Sequence, residues 1–420
     1  MRLERPRLFT GRHDIIVFVG ICLCIVSFSL LQRYETFRHL KQFDDALLDV
    51  TVLKQYLKHN KDRRYYVLKL RSDYGVFYTS ASPYLRHLVG RTLRLRVWVN
   101  RYSFYNHLTE GYLPSKILKV YPRLNAKTVL AHAIASQHQN AQIGELYAAL
   151  FTASPMSSSL QYQLSTLGIS HLLAISGFHL GLISALLYWL LRPLYRHIQE
   201  NYFPYRSAHR DLFMLVFIVI SAYLYFLGAL PSLLRAYTML LIGFVLFDRG
   251  IKILSMQTLF LSVMLLLAFM PALFASLGFW LSVAGVFYIM LYLIYFQHQN
   301  VYYNLLGVSI WVYLMMLPIS LYIFENFTIY HPFSVVASIL FLPFYLIASV
   351  LHVMAQGGLF DPYLLDYLNV STHAFSVTLP PYVIITHLML SLLALRYRYA
   401  AAMLLPWSLF IFAGAIHHVA

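Results

Sequence analysis

A polar stretch inside an apolar run constrains this chain more than any other feature. Residues 168–182 have the sequence GISHLLAISGFHLGL and open an apolar run that continues to about Tyr195. An imidazole or hydroxyl at such a depth in a bilayer has no water to bond with, so it must face other helices or an aqueous cavity. His171, Ser176 and His179 are therefore candidate functional residues.

Small residues in the same stretch predict close helix packing. A neighbouring backbone can come close at Ala174, Ser176, Gly177 and Gly181. On one continuous helix His171 and His179 are separated by about 80°, near enough to share a broad face. The two imidazoles then either form interhelical hydrogen bonds or line a passage. A metal would need further ligands and this helix offers no acidic residue, so neither a metal nor a cofactor is predicted.

Composition places the chain among polytopic α-helical membrane proteins. Hydrophobic residues make up 60% and charged residues 11%, with a mean hydropathy of +0.63, which excludes an ordinary soluble domain. An apolar run at 15–31 and nine more between 171 and 417 approach the length of roughly 20 residues that a membrane helix needs. About ten transmembrane helices are predicted.

The N-terminal segment predicts the orientation of the chain. Arg2, Arg5, Arg7 and Arg12 precede the first apolar run, and no small-x-small cleavage site follows it. By the positive-inside rule the N-terminus is cytoplasmic and residues 34–166 are external. If every apolar run crosses the membrane once, Arg396 and Arg398 lie outside, against the rule. One late segment is therefore expected to be re-entrant or interfacial, and residues 356–379 are the obvious candidate.

The positive charge of the chain is concentrated in one polar segment. Residues 33–127 hold 19 lysines and arginines against 7 acidic residues, a net of +12 out of +16 for the chain. A concentrated basic patch indicates a polyanionic partner, which is either nucleic acid or anionic lipid headgroups.

Short β-forming stretches fill the same segment. In residues 92–99 Leu and Val alternate with Arg and Trp, so one face is core and the other carries cationic and stacking side chains. A small barrel of about five strands, like an oligonucleotide-binding (OB) barrel, fits the length and presents such a face to single strands. Basic residues also serve solubility alone, and that alternative stays open. The candidate DNA-binding residues are Arg91, Arg94, Arg96, Trp98, Arg101 and Tyr102.

The chain divides into four parts. Residues 1–33 form the cytoplasmic N-terminus and first helix, and 34–125 form the external OB-like β domain. A helical and Ser-rich connector follows at 126–166. Residues 167–420 form the membrane domain.

Three motifs resemble one known family. The stretch HLLAISGFHLGL closely resembles the HLLAISGLHVGL-type stretch of the ComEC-type competence proteins, the inner-membrane channels for DNA import in naturally transformable bacteria. PSLLRAYTM at 231–239 and LFASLGFWLSVAGVF at 273–287 are similar to later motifs of that family and stand in the same order. The looser pattern of Pro318, Ser334, Ser338 and Pro343 is also similar, although Ser338 stands where the family often has Asn.

The resemblance implies a channel for single-stranded DNA and no enzyme. Many family members continue into a metallo-β-lactamase-like nuclease domain, but this chain has no HxHxDH motif, so strand degradation is expected elsewhere or not at all. The residues expected at the channel are His171, Ser176, Gly177, His179, Arg235 and Ser282. Arg235 either attracts phosphate at a pore mouth or snorkels to the interface.

Two other functions stay open. The chain could transport or flip a lipid-linked or small anionic substrate, or it could anchor a DNA receptor without translocation. The expected partners are single-stranded DNA and membrane lipids. A periplasmic DNA-binding protein, a cytosolic motor or strand-trapping protein, and further copies of the chain are left open. No GxxxxGKT loop is present, so energy for import must come from outside the chain.

Overall fold

A computed structural model shows how these segments are arranged. It describes residues 11–42, 44–60, 63–86, 88–100, 102–124, 126–173, 177–228, 231–249, 255–297, 300–370 and 375–417. Ser176 and Arg101, both predicted to be functional, lie outside the described residues.

The first helix joins the membrane region to the β domain. Helix α1 (Arg12–Lys41) has 30 residues, or about 45 Å at 1.5 Å per residue, which exceeds the roughly 30 Å of a hydrocarbon core. Its apolar part packs on a later helix, where Ser29 donates to the Ala268 carbonyl at 3.0 Å. Its last turns enter the β domain, because Phe37 and Leu40 are buried in that core.

An antiparallel five-stranded sheet follows, as the sequence predicts. The elements are β1 (Asp45–Asn60), β2 (Arg63–Ser72), β3 (Gly75–Ala81), β4 (Arg91–Trp98), α2 (Phe104–Leu108) and β5 (Ser115–Leu124). The strand order is β3-β2-β1-β4-β5. The two edge strands approach each other, since Thr79 and Ser115 share a hydrogen bond of 2.8 Å between their hydroxyls. Leu95 and Val97 of β4 are fully buried in the core.

The predicted helical connector is a helical hairpin. It consists of α3 (Ala126–Ala135) and α4 (Ala141–Thr152), and Asn140 caps α4 by accepting from the backbone N–H of Gln142. Helix α4 ends at Ala153, which has φ of 51°. Ile143 and Leu150 of α4 are buried in one hydrophobic cluster with Phe341 of a membrane helix. The hairpin is therefore packed onto the membrane domain.

The rest of the chain is mainly apolar helix. In order it contains α5 (Ser158–Thr166), α6 (Ser170–Leu173), α7 (Gly177–Tyr202), α8 (Ala208–Leu227), α9 (Pro231–Asp248), α10 (Met256–Phe269), α11 (Leu277–Tyr295), α12 (Val301–Phe324), β6 (Asn326–Phe327), α13 (Ser334–Val353), α14 (Asp361–Leu368), β7 (Phe375–Ser376), α15 (Pro381–Leu393) and α16 (Arg398–His417). Within the described residues six helices are long and apolar enough to cross a membrane: α1, α8, α11, α12, the helical stretch ending in α13, and α16. Helices α9, α10 and α15 are apolar but shorter.

The helix predicted from 171 to 195 is described in two parts. His171 lies on α6 and His179 on α7, with residues 174–176 outside the described part. The angle of about 80° between the two side chains stays a prediction. They nevertheless approach the same helix, α13.

A small strand pair explains the two arginines that broke the positive-inside rule. Strand β6, just after α12, pairs with β7, just before α15. The start of α15 therefore lies beside the end of α12, and Tyr295 at the end of α11 donates to the Ala394 carbonyl at 2.9 Å at the other end of α15. Arg396 and Arg398 lie at that other end, opposite to the side that strict alternation assigns.

Candidate functional site: the junction of the β domain and the helices

The start of α7 lies among α6, α9 and α13. Gly177 allows the closest of these contacts, because a Cβ added there would lie 3.1 Å from the Ala236 side chain of α9. That is tighter than most real Cβ contacts, so a larger residue would push α7 from α9. Close packing thus explains Gly177, whereas a Cβ added at Gly181 would meet nothing within 4 Å, so the predicted close approach at Gly181 is wrong.

His171 lies where α6 meets α13. Its Nε2 is 3.2 Å from the Ser338 hydroxyl, and that hydroxyl donates to the Ser334 carbonyl at 2.7 Å. Because the Ser338 proton is committed to the carbonyl, His171 must donate from Nε2. Protein surrounds the imidazole on most sides, yet its side chain keeps an exposed surface.

His179 has a different environment. Its side chain is 1% exposed and meets the rings of Phe341 and Tyr345 edge to face, with centroids 5.2 and 5.0 Å away. In this state His179 packs between helices. His179 is thus buried, whereas His171 keeps an exposed surface, and a role of either imidazole beside a passage stays a prediction.

Arg235 is buried rather than snorkelling. Its side chain on α9 is 6% exposed, and Nη1 is 3.5 Å from the Phe279 carbonyl near the start of α11. Among the described residues no acidic group pairs with it. A buried guanidinium without a carboxylate is costly in an apolar region and indicates a functional role. Ser282, three residues beyond Phe279, is half-buried on α11.

Two further cations lie at the turn between α8 and α9. Arg71 at the end of β2 donates from Nη2 to the Gly228 carbonyl at 2.7 Å. Lys127 at the start of α3 lies 3.4 Å from the Leu227 carbonyl and 3.2 Å from that of Ala153. Cations beside the last carbonyls of a helix are favoured by its dipole. Sequence reasoning missed both residues, since each contact joins residues more than 25 positions apart.

Burial changes the charge balance of Lys127. Desolvation, followed by repulsion from Arg71, lowers the pKa of Lys127 to about 8. Arg71 and Lys127 thus form a cationic junction between the β domain and the α8–α9 turn, and the buried Arg235 follows in the first turns of α9. No acidic side chain pairs with any of the three in the described part of the chain.

The exposed face of β4 carries the predicted basic residues, but acidic residues accompany them. Strand β4 buries Leu93, Leu95 and Val97 and exposes the residues between them. Arg96 forms an ion pair with Asp45, and Arg94 lies 3.9 Å from Asp49. The alternation is as predicted, while the neighbouring carboxylates were not anticipated.

The flanks of this face differ in charge. Lys116 and Lys119 of β5 lie directly opposite Arg96 and Arg94, so the β4–β5 side is purely basic. Trp98 is 43% exposed. Arg91 at the start of β4 is half-buried.

Tyr102 is a correction to the predicted interface. It is 3% exposed and packs against Phe37 and His107 in the core of the β domain. Burial raises the pKa of Tyr102 to about 12. The residue follows the alternating strand and closes its core, so it offers no ring to a nucleobase.

Comparison with known proteins identifies the family of the membrane region. A family model described as competence protein matches residues 152–418, more than half of the chain. The chain belongs to the competence protein family. The motifs at 168–182, 231–239 and 273–287 all fall inside the matched range.

One curated relative is ComE operon protein 3 of Bacillus subtilis (strain 168). It is 34% identical over 182 residues, which cover 43% of this chain and 21% of the relative. The match therefore spans about a fifth of the length of that relative. No solved structure matches the chain.

Proposed function

We propose that this chain moves single-stranded DNA across the cytoplasmic membrane during natural transformation. The observation that carries the proposal is the cationic junction of Arg71 and Lys127 at the α8–α9 turn, followed on α9 by the buried Arg235. The junction connects a basic β domain to the helices of the family domain, and no acidic side chain among the described residues pairs with these three cations. A strand with one negative charge per nucleotide needs such a path into an apolar region.

The proposed orientation places the β domain outside the cell. The β domain contacts the α8–α9 turn, and the arginine-rich α7–α8 turn lies at the opposite end of α8. Arg249 and Arg396 also follow helix ends remote from that contact. Positive charge on one side is typical of the cytoplasmic face. The membrane is proposed to be the bacterial inner membrane, with residues 34–166 external.

The β domain is proposed to be an OB-like barrel. Its sheet order supports closure, and so does the approach of β3 to β5, where the hydroxyls of Thr79 and Ser115 are 2.8 Å apart. OB barrels bind single strands with cationic and aromatic side chains. Arg94, Arg96 and Trp98 are proposed to take this role here, with Lys116 and Lys119 beside them.

The ion pairs of this face do not exclude DNA contact. Exposed pairs contribute roughly 0 to 1 kcal/mol each, so a phosphate can replace a carboxylate at little cost. In the full-length protein in nanodiscs, replacing Arg94 and Arg96 by Ala should lower the salt slope of single-strand binding by about 1.4, at about 0.7 per lost phosphate contact. The matched control is Arg86→Ala, an exposed arginine outside β4. An unchanged slope would assign the two arginines to solubility or lipid headgroups.

The passage is proposed to run beside α6 and α13. The contact between His171 and Ser338 places two polar side chains inside an apolar region, and a path for phosphate requires such polar groups. Energy is proposed to come from outside the chain, through a cytosolic motor or strand-trapping protein. A periplasmic protein that delivers DNA to the β domain is a second proposed partner.

Labelled DNA in a deletion strain tests the function. Without the protein, fluorescent DNA should be captured at the cell surface but remain outside the inner membrane. A plasmid copy should restore cytoplasmic entry, and a copy with Arg235→Leu should not. Normal cytoplasmic arrival in the deletion strain would leave only the role of an anchor or of a transporter for another substrate.

A further inference from the structure

A buried polar cluster joins the hairpin to the membrane domain. The closed end of the α3–α4 hairpin brings His138 against His352 at the end of α13 and Asp361 at the start of α14. We propose that His138, His352 and Asp361 together bind one proton, and that this proton holds the hairpin against α13 and α14. The proposal does not depend on the DNA function.

The three side chains form a continuous chain of hydrogen bonds. Nδ1 of His138 is 2.9 and 3.1 Å from the two carboxylate oxygens of Asp361. Nε2 of His138 is 3.0 Å from Nε2 of His352. Nδ1 of His352 is 2.7 Å from the Ala348 carbonyl. The side chain of His138 is fully buried and that of Asp361 is 13% exposed, so solvent can replace few of these bonds.

The number of ring hydrogens that these hydrogen bonds require implies one extra proton on the cluster. A carbonyl and a carboxylate only accept, so His352 Nδ1 and His138 Nδ1 must each carry a hydrogen. The contact between the two Nε2 atoms needs one more, on either ring. The network therefore contains three ring hydrogens, whereas two neutral imidazoles supply two. The third balances the negative charge of Asp361, which makes the cluster neutral as a whole.

An aromatic ring of α4 lies against the cluster. The Tyr147 ring of α4 stacks on His138 with centroids 4.6 Å apart and planes 6° apart, and an aromatic face attracts a cation. Among the described residues of α4, Tyr147 is the titratable side chain that contacts the cluster. Among the described residues no lysine or arginine pairs with Asp361. The donors lie in a row and do not converge on one point, so the arrangement is unlike a metal site.

Neutral contacts fix the same junction. Gln137 donates to the His352 carbonyl at 3.1 Å and accepts from the backbone N–H of Gly357 at 3.1 Å. A Cβ on Gly357 would lie 2.7 Å from both Gln137 Oε1 and His352 Nε2. The backbone thus passes directly over the histidine pair, and the hairpin end fits only when these groups are aligned.

Loss of the proton breaks the alignment. Without it, either two ring nitrogens or a ring nitrogen and a carboxylate oxygen face each other as acceptors at about 3 Å, in a buried place. The hairpin should then leave α13 at its closed end. Its other end carries Lys127, about 15 Å away along α3, so the proton would set the position of the cationic junction.

The variant Asp361→Asn should remove the need for the extra proton and keep the packing of the cluster. The amide can donate to Nδ1 of a neutral His138, so all three hydrogen bonds persist without the extra proton. In full-length protein in nanodiscs, with Cys22 and Cys24 replaced by Ser, spin labels at Ser136→Cys and Tyr363→Cys report hairpin docking from about pH 6 to about pH 10, a range that starts near the titration of free histidine. In the protein with native Asp361, the docking equilibrium constant should fall by up to tenfold per pH unit as pH rises. In Asp361→Asn it should not change with pH. Asp366→Asn on the same helix is the matched control and should behave like native protein.

A second measurement counts the proton directly. In ¹⁵N-histidine NMR at neutral pH, the native pair should show three protonated ring nitrogens and Asp361→Asn two. Two in the native protein, or equal pH responses of docking in native and Asp361→Asn protein, would overturn the proposal. A native hairpin that stays docked across the whole pH range would overturn it as well.

Discussion

Arg71 offers the sharpest test of how the β domain is attached. Its guanidinium donates to the Gly228 carbonyl at 2.7 Å, and hydrogen bonds from charged donors contribute about 1.5 to 3 kcal/mol. Arg71 is half-buried, so the lower end applies, and about 1.5 kcal/mol corresponds to roughly tenfold in the docking equilibrium. Arg71→Ala should therefore shift the β domain away from the α8–α9 turn in a measurable fraction of molecules.

The assay is a distance measurement between two labels. Asp73→Cys lies in the turn that follows β2, and Tyr225→Cys is exposed near the end of α8. In a background without native cysteines, Arg71→Ala should add a longer distance to the distribution, and Arg71→Lys should add less of it because one charged donor remains.

The control for this experiment is Arg64→Ala, which removes a charge from the other end of β2 and should leave the distances unchanged. A distribution for Arg71→Ala identical to that of native protein would refute the idea that this contact holds the domain. So would an equal shift in Arg64→Ala, because net charge and not the contact would then be responsible.

Three further predictions concern the junction and the core. The pKa of Lys127 is about 8 in the folded protein, against about 10.4 for a free lysine, so the folded protein binds fewer protons than the unfolded chain between these pH values. The free energy of unfolding should therefore rise with pH from about 8 to about 10, and thermal unfolding of Lys127→Met should lack this rise. DNA import should fall by at least tenfold in Arg235→Leu and by less in Arg235→Lys. Equal import in both variants would show that the positive charge of Arg235 is not required. Leu95→Ala should destabilise the β domain by about 2 to 5 kcal/mol, measured by denaturant unfolding, because the side chain is fully buried; Leu118→Ala, at an exposed residue, is its control.

The sequence predicted the elements that local patterns determine. Alternation in residues 92–99 indicated β4 with its buried and exposed faces. The apolar runs indicated membrane helices because length and hydropathy are local properties. The motif at 168–182 marked the helix that meets α6, α9 and α13.

Contacts between distant segments could not be predicted in this way. Nothing near Arg71 or Lys127 indicates a partner at Gly228 or Leu227. Tyr102 differs from Trp98 in burial because the chain turns inward after β4, which alternation does not record. The β6–β7 pair involves two residues in each strand, too few to leave a pattern, yet it determines the side on which Arg396 lies.

Cross-linking of DNA during import tests the central claim most directly. A photoreactive amino acid at residue 171, where α6 meets α13, should link to a DNA strand arrested in passage. The same group at residue 190, on an exposed apolar face of α7, should link to lipid and not to DNA. DNA adducts at 171 and none at 190 are predicted. Equal labelling at both positions, or none at 171 while residue 98 of the β domain is labelled, would contradict a passage beside α6 and α13.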